Sequence, residues 1–363
     1  MSRALQLAEL GRFWATPNPH VGCVLVRDGA IIGEGFTQPV GGNHAEVEAL
    51  QSAGNASGAT AYVTLEPCSH QGRTGPCSQA LIEAGVARVV VAMQDPNPQV
   101  AGSGLAAIRA AGVELDVGLL EQQARQLIAG FVLRMERGRG RVRAKLAMSL
   151  DGRTAMASGD SKWITGPAAR ADVQLLRASS CAVMTGIGTV LADDCSLAVR
   201  ATELDLDTKQ RQRASLLQPT RVVLDSKLST PAESRLLATG GAALLCHAAD
   251  ISPGKSLKDS KAEFLALPML ECGLDLVELC QQLAARQYNE ILVESGPRLA
   301  GQLLRCGLLD ELIVYMAPSL LGSDARPLLE LPLSTMDEKV ELQVLDVRQI
   351  GKDWRFTLAP ADR

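Results

Sequence analysis

Two short segments of the chain concentrate residue types that bind metals and transfer protons. His44 and Glu46 lie in HAEVEAL, Cys68 follows Pro67 about twenty residues later, and Cys77 comes nine positions after Cys68. One imidazole and two thiolates suit Zn²⁺, and three protein ligands leave a fourth position for water, which zinc activates as a nucleophile. We therefore interpret His44, Cys68 and Cys77 as zinc ligands. Glu46 would take a proton from the water and deliver it to a ring nitrogen and a leaving amine.

The spacing of the two cysteines differs from the usual zinc deaminase signature, in which H-x-E is followed by P-C-x-x-C. Here the eight residues SHQGRTGP separate Cys68 from Cys77. His70 lies within this segment and is a second possible ligand. The pattern also fits buried thiols and a hydrogen-bonded histidine that hold no metal.

Each of these candidate residues adjoins a predicted helix or strand. His44 opens the helix NHAEVEALQSAG, and in a first turn His44 and Glu46 can point into one pocket although they are only two positions apart. Cys68 follows the strand ATAYVTLEP, at the end of a strand where α/β sheets place their ligands. Cys77 begins the helix CSQALIEAG, whose positive dipole end favours a thiolate.

Strand and helix patterns alternate along the rest of the chain, which predicts α/β domains with mostly parallel sheets. A long helix, EQQARQLIAGFVLRMERG, is predicted to end at Gly138, and the basic stretch RGRGR after it indicates a linker. We expect a boundary near residues 138–142, which gives domains 1–140 and 141–363. In the second domain, 201–215 is interpreted as polar and irregular, and the C-terminal stretch as a hairpin.

Composition limits the class of protein. The 363 residues are 47% hydrophobic and 21% charged, as expected for a globular protein with two domains. A net charge of −4 and 3% aromatic residues argue against a basic, aromatic nucleic-acid surface. Nine scattered cysteines, an odd number, indicate reduced thiols in a cytoplasmic protein. We expect neither a membrane span nor a signal peptide.

Several segments in chain order resemble one known family. TPNPHVGCVLV, HAEVEAL, YVTLEPCSHQGRTGPC and DPNPQVAGSG are similar to the deaminase domain of the bifunctional deaminase/reductase family of riboflavin biosynthesis, whose cysteines are separated by the same longer insertion. KLAMSLDGRTA, SKWITGPAARADVQLLRA, TGIGTVLADD and VESGPRLAGQLL resemble its reductase domain. The likeness covers essentially the whole chain. Gly75 and Cys195 stand where the commonest family forms have proline, and neither change removes a donor that the chemistry needs.

The resemblance implies an α/β fold with an N-terminal cytidine-deaminase-like three-layer domain and a C-terminal dihydrofolate-reductase-like domain. The first domain, with one zinc ion, would remove the 2-amino group of 2,5-diamino-6-(5-phospho-ribosylamino)pyrimidin-4(3H)-one as ammonia. The second would use NADPH to reduce 5-amino-6-(5-phosphoribosylamino)uracil to the ribitylamino phosphate. Asn18 would hold the pyrimidine near zinc. The expected partners are phosphorylated pyrimidines and copies of the same chain, and neither nucleic acid nor a membrane.

Lys145 is the main candidate for chemistry in the second domain. It alternates with apolar residues on the strand VRAKLAMSL, and a lysine on a largely buried strand is costly unless it is paired or functional. We hypothesise that Lys145, with Asp193 and Glu294 nearby, binds the ribosylamine and supplies the proton for ring opening. A structural salt bridge is the alternative.

The remaining site residues of the second domain follow from the resemblance. The residues implied to contact NADPH are Ala147, Trp163, Thr189, Asp193, Ser226, Gly296, Pro297, Arg298, Leu299, Ala300, Gly301 and Gln302. The residues implied to contact substrate are Ser161, Arg177, Leu197, Arg200 and Glu294. Arg177 and Arg200 are suited to phosphate because a guanidinium fork matches phosphate oxygens, with surface charge as the alternative. Core packing is the alternative for Trp163.

Two other functions fit part of the pattern. A nucleic-acid deaminase with an accessory domain would need a basic groove and stacking aromatic residues. A zinc-stabilised regulatory or scaffold protein would hold its metal with four protein ligands and no open position. Metal analysis combined with a Glu46→Gln variant separates these readings from a catalytic zinc site.

Overall fold

The structure is a computed structural model that describes residues 1–69 and 75–361. His70, the alternative metal ligand, lies outside the described residues. The chain divides into two compact units, Met1–Arg139 and Gly140–Arg363. Among the helices of the described residues, none combines the length and apolar character that crossing a membrane requires.

The first unit is built on one five-stranded sheet in the order β2-β1-β3-β4-β5. Its elements are α1 (Ser2–Leu10), β1 (Gly22–Arg27), β2 (Ala30–Phe36), α2 (Ala45–Ala53), β3 (Thr60–Val63), α3 (Cys77–Glu83), β4 (Arg88–Val91), α4 (Ser103–Ala110), β5 (Glu114–Val117), α5 (Glu121–Leu127) and α6 (Ala129–Arg137). β1 pairs antiparallel with β2 and β3, whereas β3, β4 and β5 are parallel. The β1–β2 hairpin therefore forms the antiparallel edge of a mixed sheet.

Helices cover both faces of this sheet. Ala4 and Leu7 of α1 pack with Val24 on one face. Residues that alternate with Val24, among them Cys23, face the larger core that includes Ala45 of α2 and residues of α3 and α4. This helix–sheet–helix arrangement confirms the predicted three-layer domain.

The prediction of one long helix before the linker is wrong in one respect, because the structure has two helices there. α5 ends at Leu127, and Ile128 leaves the helical region with φ −113° and ψ 32° before α6 begins. Gly130, two residues later, has a low helix propensity. Ile128 itself is buried in the core, so the break costs no apolar contact.

The second unit contains a nine-stranded sheet in the order β11-β10-β9-β8-β14-β6-β15-β18-β17. Its elements are β6 (Arg141–Ser149), β7 (Arg153–Ala155), α7 (Pro167–Ala178), β8 (Ala182–Gly186), α8 (Ile187–Asp193), α9 (Thr208–Leu216), β9 (Thr220–Leu224), α10 (Arg235–Ala238), β10 (Ala243–Ala248), α11 (Lys255–Lys258), β11 (Glu263–Leu267), β12 (Met269–Leu270), β13 (Gly273–Leu274), α12 (Leu276–Ala285), β14 (Glu290–Val293), α13 (Pro297–Arg305), β15 (Glu311–Ala317), β16 (Arg326–Pro327), β17 (Leu342–Ile350) and β18 (Asp353–Pro360). Pairing is parallel from β11 to β15, and the β17–β18 hairpin adds the antiparallel edge.

The register of the central strands brings three side chains to one level on one face of the sheet. Val293 of β14 pairs with Ala144 of β6 and with Met184 of β8. These three residues face the core beneath α12 and α13. The next residue of each chain segment therefore points to the opposite face, which places Lys145 and Glu294 side by side.

The prediction that 201–215 is irregular is wrong in its second half, where α9 forms. Asp207 caps this helix, and its carboxylate accepts a hydrogen bond of 2.8 Å from the backbone N–H of Gln210. α9 lacks an apolar stripe, so hydrophobic periodicity gives no signal there. The N-cap was the available signal for this helix.

Candidate active sites

His44 reaches its position because α2 packs closely on β2. A Cβ at Gly35 of β2 would lie 2.2 Å from the carbonyl oxygen of Ala45, so this approach requires glycine. His44 is the N-cap residue of α2 with extended φ and ψ, and its side chain makes no capping hydrogen bond. The imidazole is therefore free to face the site. Glu46, in the first turn of the same helix, is only 4% exposed.

The two cysteines meet at the beginning of α3. Cys77 is the first residue of this helix, and its backbone N–H donates to the Cys68 Sγ at 3.4 Å. The carbonyl oxygen of Cys68 accepts hydrogen bonds from Ser78, at 3.1 Å from the backbone N–H and 3.0 Å from the hydroxyl. The start of α3 thus holds both sulfurs on the same side of the turn.

The distances between these donor atoms fit a tetrahedral zinc site. His44 Nδ1 lies 3.7 Å from Cys68 Sγ and 3.3 Å from Cys77 Sγ, and all three donor atoms lie within 4.8 Å of one another. Zinc–sulfur and zinc–nitrogen bonds of ordinary length at tetrahedral angles place S and N about 3.5 Å apart. Among the described residues, this is the one group of His, Cys, Asp or Glu side chains close enough to hold a metal ion.

Cys68, Cys77 and Glu46 strongly affect one another's ionisation. The hydrogen bond from the Cys77 thiol, together with His44, lowers the pKa of Cys68 below its usual value against the effect of burial. The same hydrogen bond and burial raise the pKa of Cys77. A divalent cation that binds both sulfurs as thiolates must displace the proton of Cys77. Burial, with the nearby charge of Cys68, raises the pKa of Glu46 to about 7.

In the second unit, the structure brings Lys145, Glu294 and Arg177 together. The Arg177 guanidinium donates to both carboxylate oxygens of Glu294, from Nε at 2.5 Å and from Nη2 at 2.9 Å. Its Nη1 donates to the carbonyl oxygen of Ala198 at 3.0 Å. The Lys145 Nζ lies 5.8 Å from the centre of the Tyr315 ring. The buried carboxylate of Glu294 is thus flanked by two cations.

Charge and burial compete in this cluster. Burial lowers the pKa of Lys145, an effect that the Glu294 carboxylate opposes and Arg177 reinforces. Burial alone would raise the pKa of Glu294, but Arg177 and then Lys145 hold it below its usual value. The carboxylate therefore stays ionised, and Lys145 holds its proton less tightly than an exposed lysine. Such a group can donate a proton near neutral pH more readily.

The residues expected to bind the cofactor lie largely at the carboxyl ends of the parallel strands. Thr189 and Asp193 are on α8, directly after β8, and Ser226 follows β9. Asp193 pairs with Lys162 at 3.3 Å. Ala147 is half-buried on β6, on the same face as Lys145. Open α/β sheets place their ligands along this edge.

The segment from Gly296 to Gln302 forms the beginning of α13, but its side chains point in different directions. Gly296 is the N-cap and Pro297 the first helical residue, so the backbone N–H groups there are available to an anion. Leu299 and Ala300 lie in the core, so a contact with a cofactor would use their main chain. A Cβ at Gly301 would lie 2.4 Å from a backbone oxygen of Glu330.

Trp163 is not a core residue, since 69% of its surface is exposed. The Arg170 guanidinium carbon lies 4.4 Å from its ring centre, within the range of a cation–π contact. The packing alternative considered for this tryptophan is thereby excluded. The exposed ring is available to a ligand.

The expected substrate residues are less uniformly placed. Arg200 is half-exposed and pairs with Glu203 at 3.0 Å. Leu197 is 3% exposed and has a left-handed backbone with φ 53°, so a contact would have to use its main chain. Ser161 and, in the first unit, Asn18 are both half-buried in loops. The Asn18 backbone N–H donates to Ala15 at 2.9 Å.

Sequence reasoning missed a buried hydrogen-bond network beneath Lys145. The fully buried Tyr315 donates its hydroxyl proton to Asp172 of α7 at 2.5 Å. The same Asp172 oxygen accepts from Arg355 of β18 at 3.0 Å. A tyrosine within the apolar run ELIVYMA was the available signal, because a buried phenol needs a hydrogen-bond partner.

The fold and the donor set define a two-domain protein that joins a zinc-binding deaminase region to a separate α/β domain. Residues 1–93 match the family model of the cytidine and deoxycytidylate deaminase zinc-binding region. Residues 141–356 match the model of the RibD C-terminal domain. The chain belongs to the RibD family of riboflavin biosynthesis proteins, which confirms the resemblance inferred from its motifs.

Individual relatives match over nearly the whole length. The riboflavin biosynthesis protein RibD of Escherichia coli is 52% identical over 361 residues, covering 97% of this chain and 96% of the relative. RibD of Haemophilus influenzae is 48% identical, covering 99% and 96%. The solved structure of Acinetobacter baumannii RibD has a TM-score of 0.90 at 44% identity, with 99% of this chain and 98% of that chain covered.

A Thermotoga maritima structure is similar at lower identity. It is described as a diaminohydroxyphosphoribosylaminopyrimidine deaminase/5-amino-6-(5-phosphoribosylamino)uracil reductase. Its TM-score is 0.85 at 31% identity, with 99% of this chain and 97% of that chain covered. The predicted fold class, a deaminase-like domain followed by a reductase domain, is confirmed by these comparisons.

Proposed function

We propose that this chain is a bifunctional enzyme of riboflavin biosynthesis. Its first domain, residues 1–140, would deaminate 2,5-diamino-6-(5-phospho-ribosylamino)pyrimidin-4(3H)-one. Its second, residues 141–363, would reduce the deaminated product, 5-amino-6-(5-phosphoribosylamino)uracil. The observation that carries the proposal is the group of one imidazole and two sulfurs with a buried glutamate beside it, in a chain similar to RibD proteins over its full length.

In the deaminase site, His44, Cys68 and Cys77 would hold zinc. Zinc, when bound, supplies the Lewis acidity that activates a water molecule as nucleophile. Glu46 does not belong to the ligand group. Its carboxylate would take one proton from the water and pass it to the ring nitrogen, and would then take the second proton and pass it to the leaving amine. Asn18 orients the pyrimidine.

In the reductase site, NADPH, when bound, would supply a hydride. Lys145 binds the ribosylamine and donates the proton for ring opening, and its lowered pKa suits that step. Glu294, held by Arg177, fixes Lys145 electrostatically, and Asp193, which pairs with Lys162 at 3.3 Å, is proposed to act with them. The residues that would hold the cofactor are those of α8, Ser226, the beginning of α13 and the exposed Trp163.

The assembly and location of the protein are part of this proposal. The β17–β18 hairpin at the sheet edge exposes apolar side chains, including Val344 at 59% and Trp354 at 41%. An exposed apolar edge of this kind favours association. We propose a homo-oligomer that uses this edge, in the cytoplasm, with phosphorylated pyrimidines as its small-molecule partners.

The test is an assay of purified protein with the phosphorylated diaminopyrimidine, with and without NADPH, that follows both ammonia and cofactor oxidation. Glu46→Gln should keep its zinc, lose ammonia release by about a hundredfold or more, and still oxidise NADPH with the deaminated substrate. Glu48→Gln, two residues later on α2, is the matched control and should behave as wild type. Undiminished ammonia release by the Glu46 variant would contradict the deaminase assignment. Ammonia release without any cofactor oxidation would contradict the reductase assignment.

A further inference from the structure

Glu66 is a buried carboxylate that has no role in the proposed reaction. It lies two residues before Cys68, is only 4% exposed, and forms no ion pair among the described residues. Instead it accepts hydrogen bonds from four backbone N–H groups around the beginning of α4. The donors are Asp95 at 3.1 Å, Gly102 at 3.0 Å, Gly104 at 2.9 Å and Leu105 at 3.3 Å.

Two further contacts join the same turn to α4. A Cβ at Gly104 would lie 1.9 Å from the carbonyl oxygen of Pro67, so the turn rests directly on the helix backbone. The Ser69 hydroxyl lies 2.6 Å from the Ser103 hydroxyl. We call Glu66 and Ser69, with the residues 95–105 that bind them, the α4 anchor.

The α4 anchor acts on one side of Cys68, and α3 acts on the other. On the α3 side, Ser78 binds the Cys68 carbonyl oxygen and Cys77 donates to its sulfur. On the α4 side, Glu66 and Ser69 fix the backbone immediately before and after the Pro67-Cys68 pair. The sulfur of Cys68 is therefore placed by a turn that is bound at both sides.

We infer that Glu66 is a positioning residue for the zinc ligand Cys68, and that the α4 anchor sets how tightly the site holds its metal. This inference rests on the proposed zinc site. A carboxylate offers two acceptor oxygens to the four N–H groups, whereas an amide offers one oxygen and an NH₂ group that repels donors. Glu66→Gln therefore leaves buried N–H groups without an acceptor, which favours a shifted turn.

The experiment measures zinc affinity in the full-length protein with a chelating zinc indicator as competitor. Glu66→Gln should bind zinc about tenfold more weakly. This is the lower end of the loss of metal affinity expected when hydrogen bonds that support metal ligands are removed. Glu121→Gln, an exposed glutamate at the beginning of α5, is the matched control and should keep wild-type affinity. NADPH oxidation with the deaminated substrate should be unchanged in both variants.

A second readout separates positioning from general stability. Zinc raises the unfolding temperature of the deaminase domain according to its affinity. If Glu66 positions Cys68, the difference in unfolding temperature between zinc-loaded and zinc-free protein shrinks in Glu66→Gln. A merely structural role would lower both temperatures equally and leave the difference intact.

The possible outcomes are distinct. Zinc affinity within about twofold of wild type, with an unchanged difference in unfolding temperature, overturns the inference. Should Glu66→Gln fail to fold, Ser69→Ala decides, because losing the hydrogen bond between its hydroxyl and that of Ser103 should weaken zinc binding about threefold, and equal affinity overturns the inference. Wild-type protein that binds no zinc overturns the proposed function itself, and this inference with it.

Discussion

The buried pair of Arg177 and Glu294 allows a quantitative test of the reductase site. Both side chains are about one-eighth exposed, at 12% and 13%, and two parallel hydrogen bonds join them. Arg177→Met keeps much of the apolar stem but leaves the Glu294 carboxylate buried without its main partner. Removing one member of a buried pair costs about 3 kcal/mol or more. That loss corresponds to an increase of about a hundredfold in the equilibrium constant for opening of the domain.

Backbone hydrogen exchange followed by mass spectrometry measures this loss locally. Amides of β14 (Glu290–Val293) lie beside the pair, so their protection should fall about a hundredfold in Arg177→Met. Amides of β3 and β4 in the first unit should be unaffected. The matched control is Arg348→Met, which breaks an exposed pair with Asp346 of similar length, 2.6 Å at 56% and 35% exposure. Its cost should be below about 1 kcal/mol.

A double variant tests whether the cost comes from the unpaired charge. Glu294→Gln in the Arg177→Met background removes the orphaned carboxylate, so protection of β14 should recover by an order of magnitude or more, about 1.4 kcal/mol. If Arg177→Met alone reduces protection no more than Arg348→Met does, the reasoning from burial and hydrogen bonding is refuted. If the double variant shows no recovery, lost packing rather than charge explains the effect.

Three further predictions concern the same unit. Because burial lowers the pKa of Lys145 below its usual 10.5, the unfolded chain binds more protons just below that pH. Lys145 therefore contributes stability that increases with pH across this window, so the stability of wild type minus that of Lys145→Met should increase with pH when both are measured by urea unfolding at a series of pH values. Tyr315→Phe removes the hydrogen bond to Asp172 at 2.5 Å and should lower the free energy of unfolding by about 1 to 3 kcal/mol. If the Tyr315 ring supports Lys145, Tyr315→Leu should lose more NADPH turnover than Tyr315→Phe, and an equal loss in the two variants would contradict that role. Asp207→Ala should destabilise α9 by about 1 kcal/mol, seen as faster exchange of its first-turn amides, and unchanged exchange would show that the cap is not needed.

The metal site was predictable because its residues form short local sequence patterns. His44 and Glu46 lie in one turn of α2, and Cys68 and Cys77 each sit at a boundary between a loop and an element. Their types and spacing were enough to predict that they meet, and the structure brings the three donor atoms within 4.8 Å. His70, the alternative ligand, lies outside the described residues.

What surrounds the metal site could not be read from the sequence. The four N–H donors to Glu66 lie 29 to 39 positions along the chain, and backbone donors carry no residue-specific signal. The segment DPNPQVAGSG was useful for recognising the family, but its physical role emerges only when α4 is placed against the turn. Likewise, α9 has a capping residue but no apolar periodicity, so pattern reasoning missed it.

The second site shows the same limit more strongly, because 117 positions separate Arg177 from Glu294. The resemblance assigned Arg177 to substrate phosphate, but the sequence does not show that the Glu294 carboxylate binds its guanidinium. Of the five N–H groups of a guanidinium, two bind Glu294 and a third binds Ala198. Only two N–H groups of Arg177 remain for a phosphate. The guanidinium of Arg200, by contrast, would need to break only its exposed ion pair with Glu203. We therefore propose that Arg200 is the more available phosphate ligand, and that Arg177 chiefly keeps Glu294 charged beside Lys145.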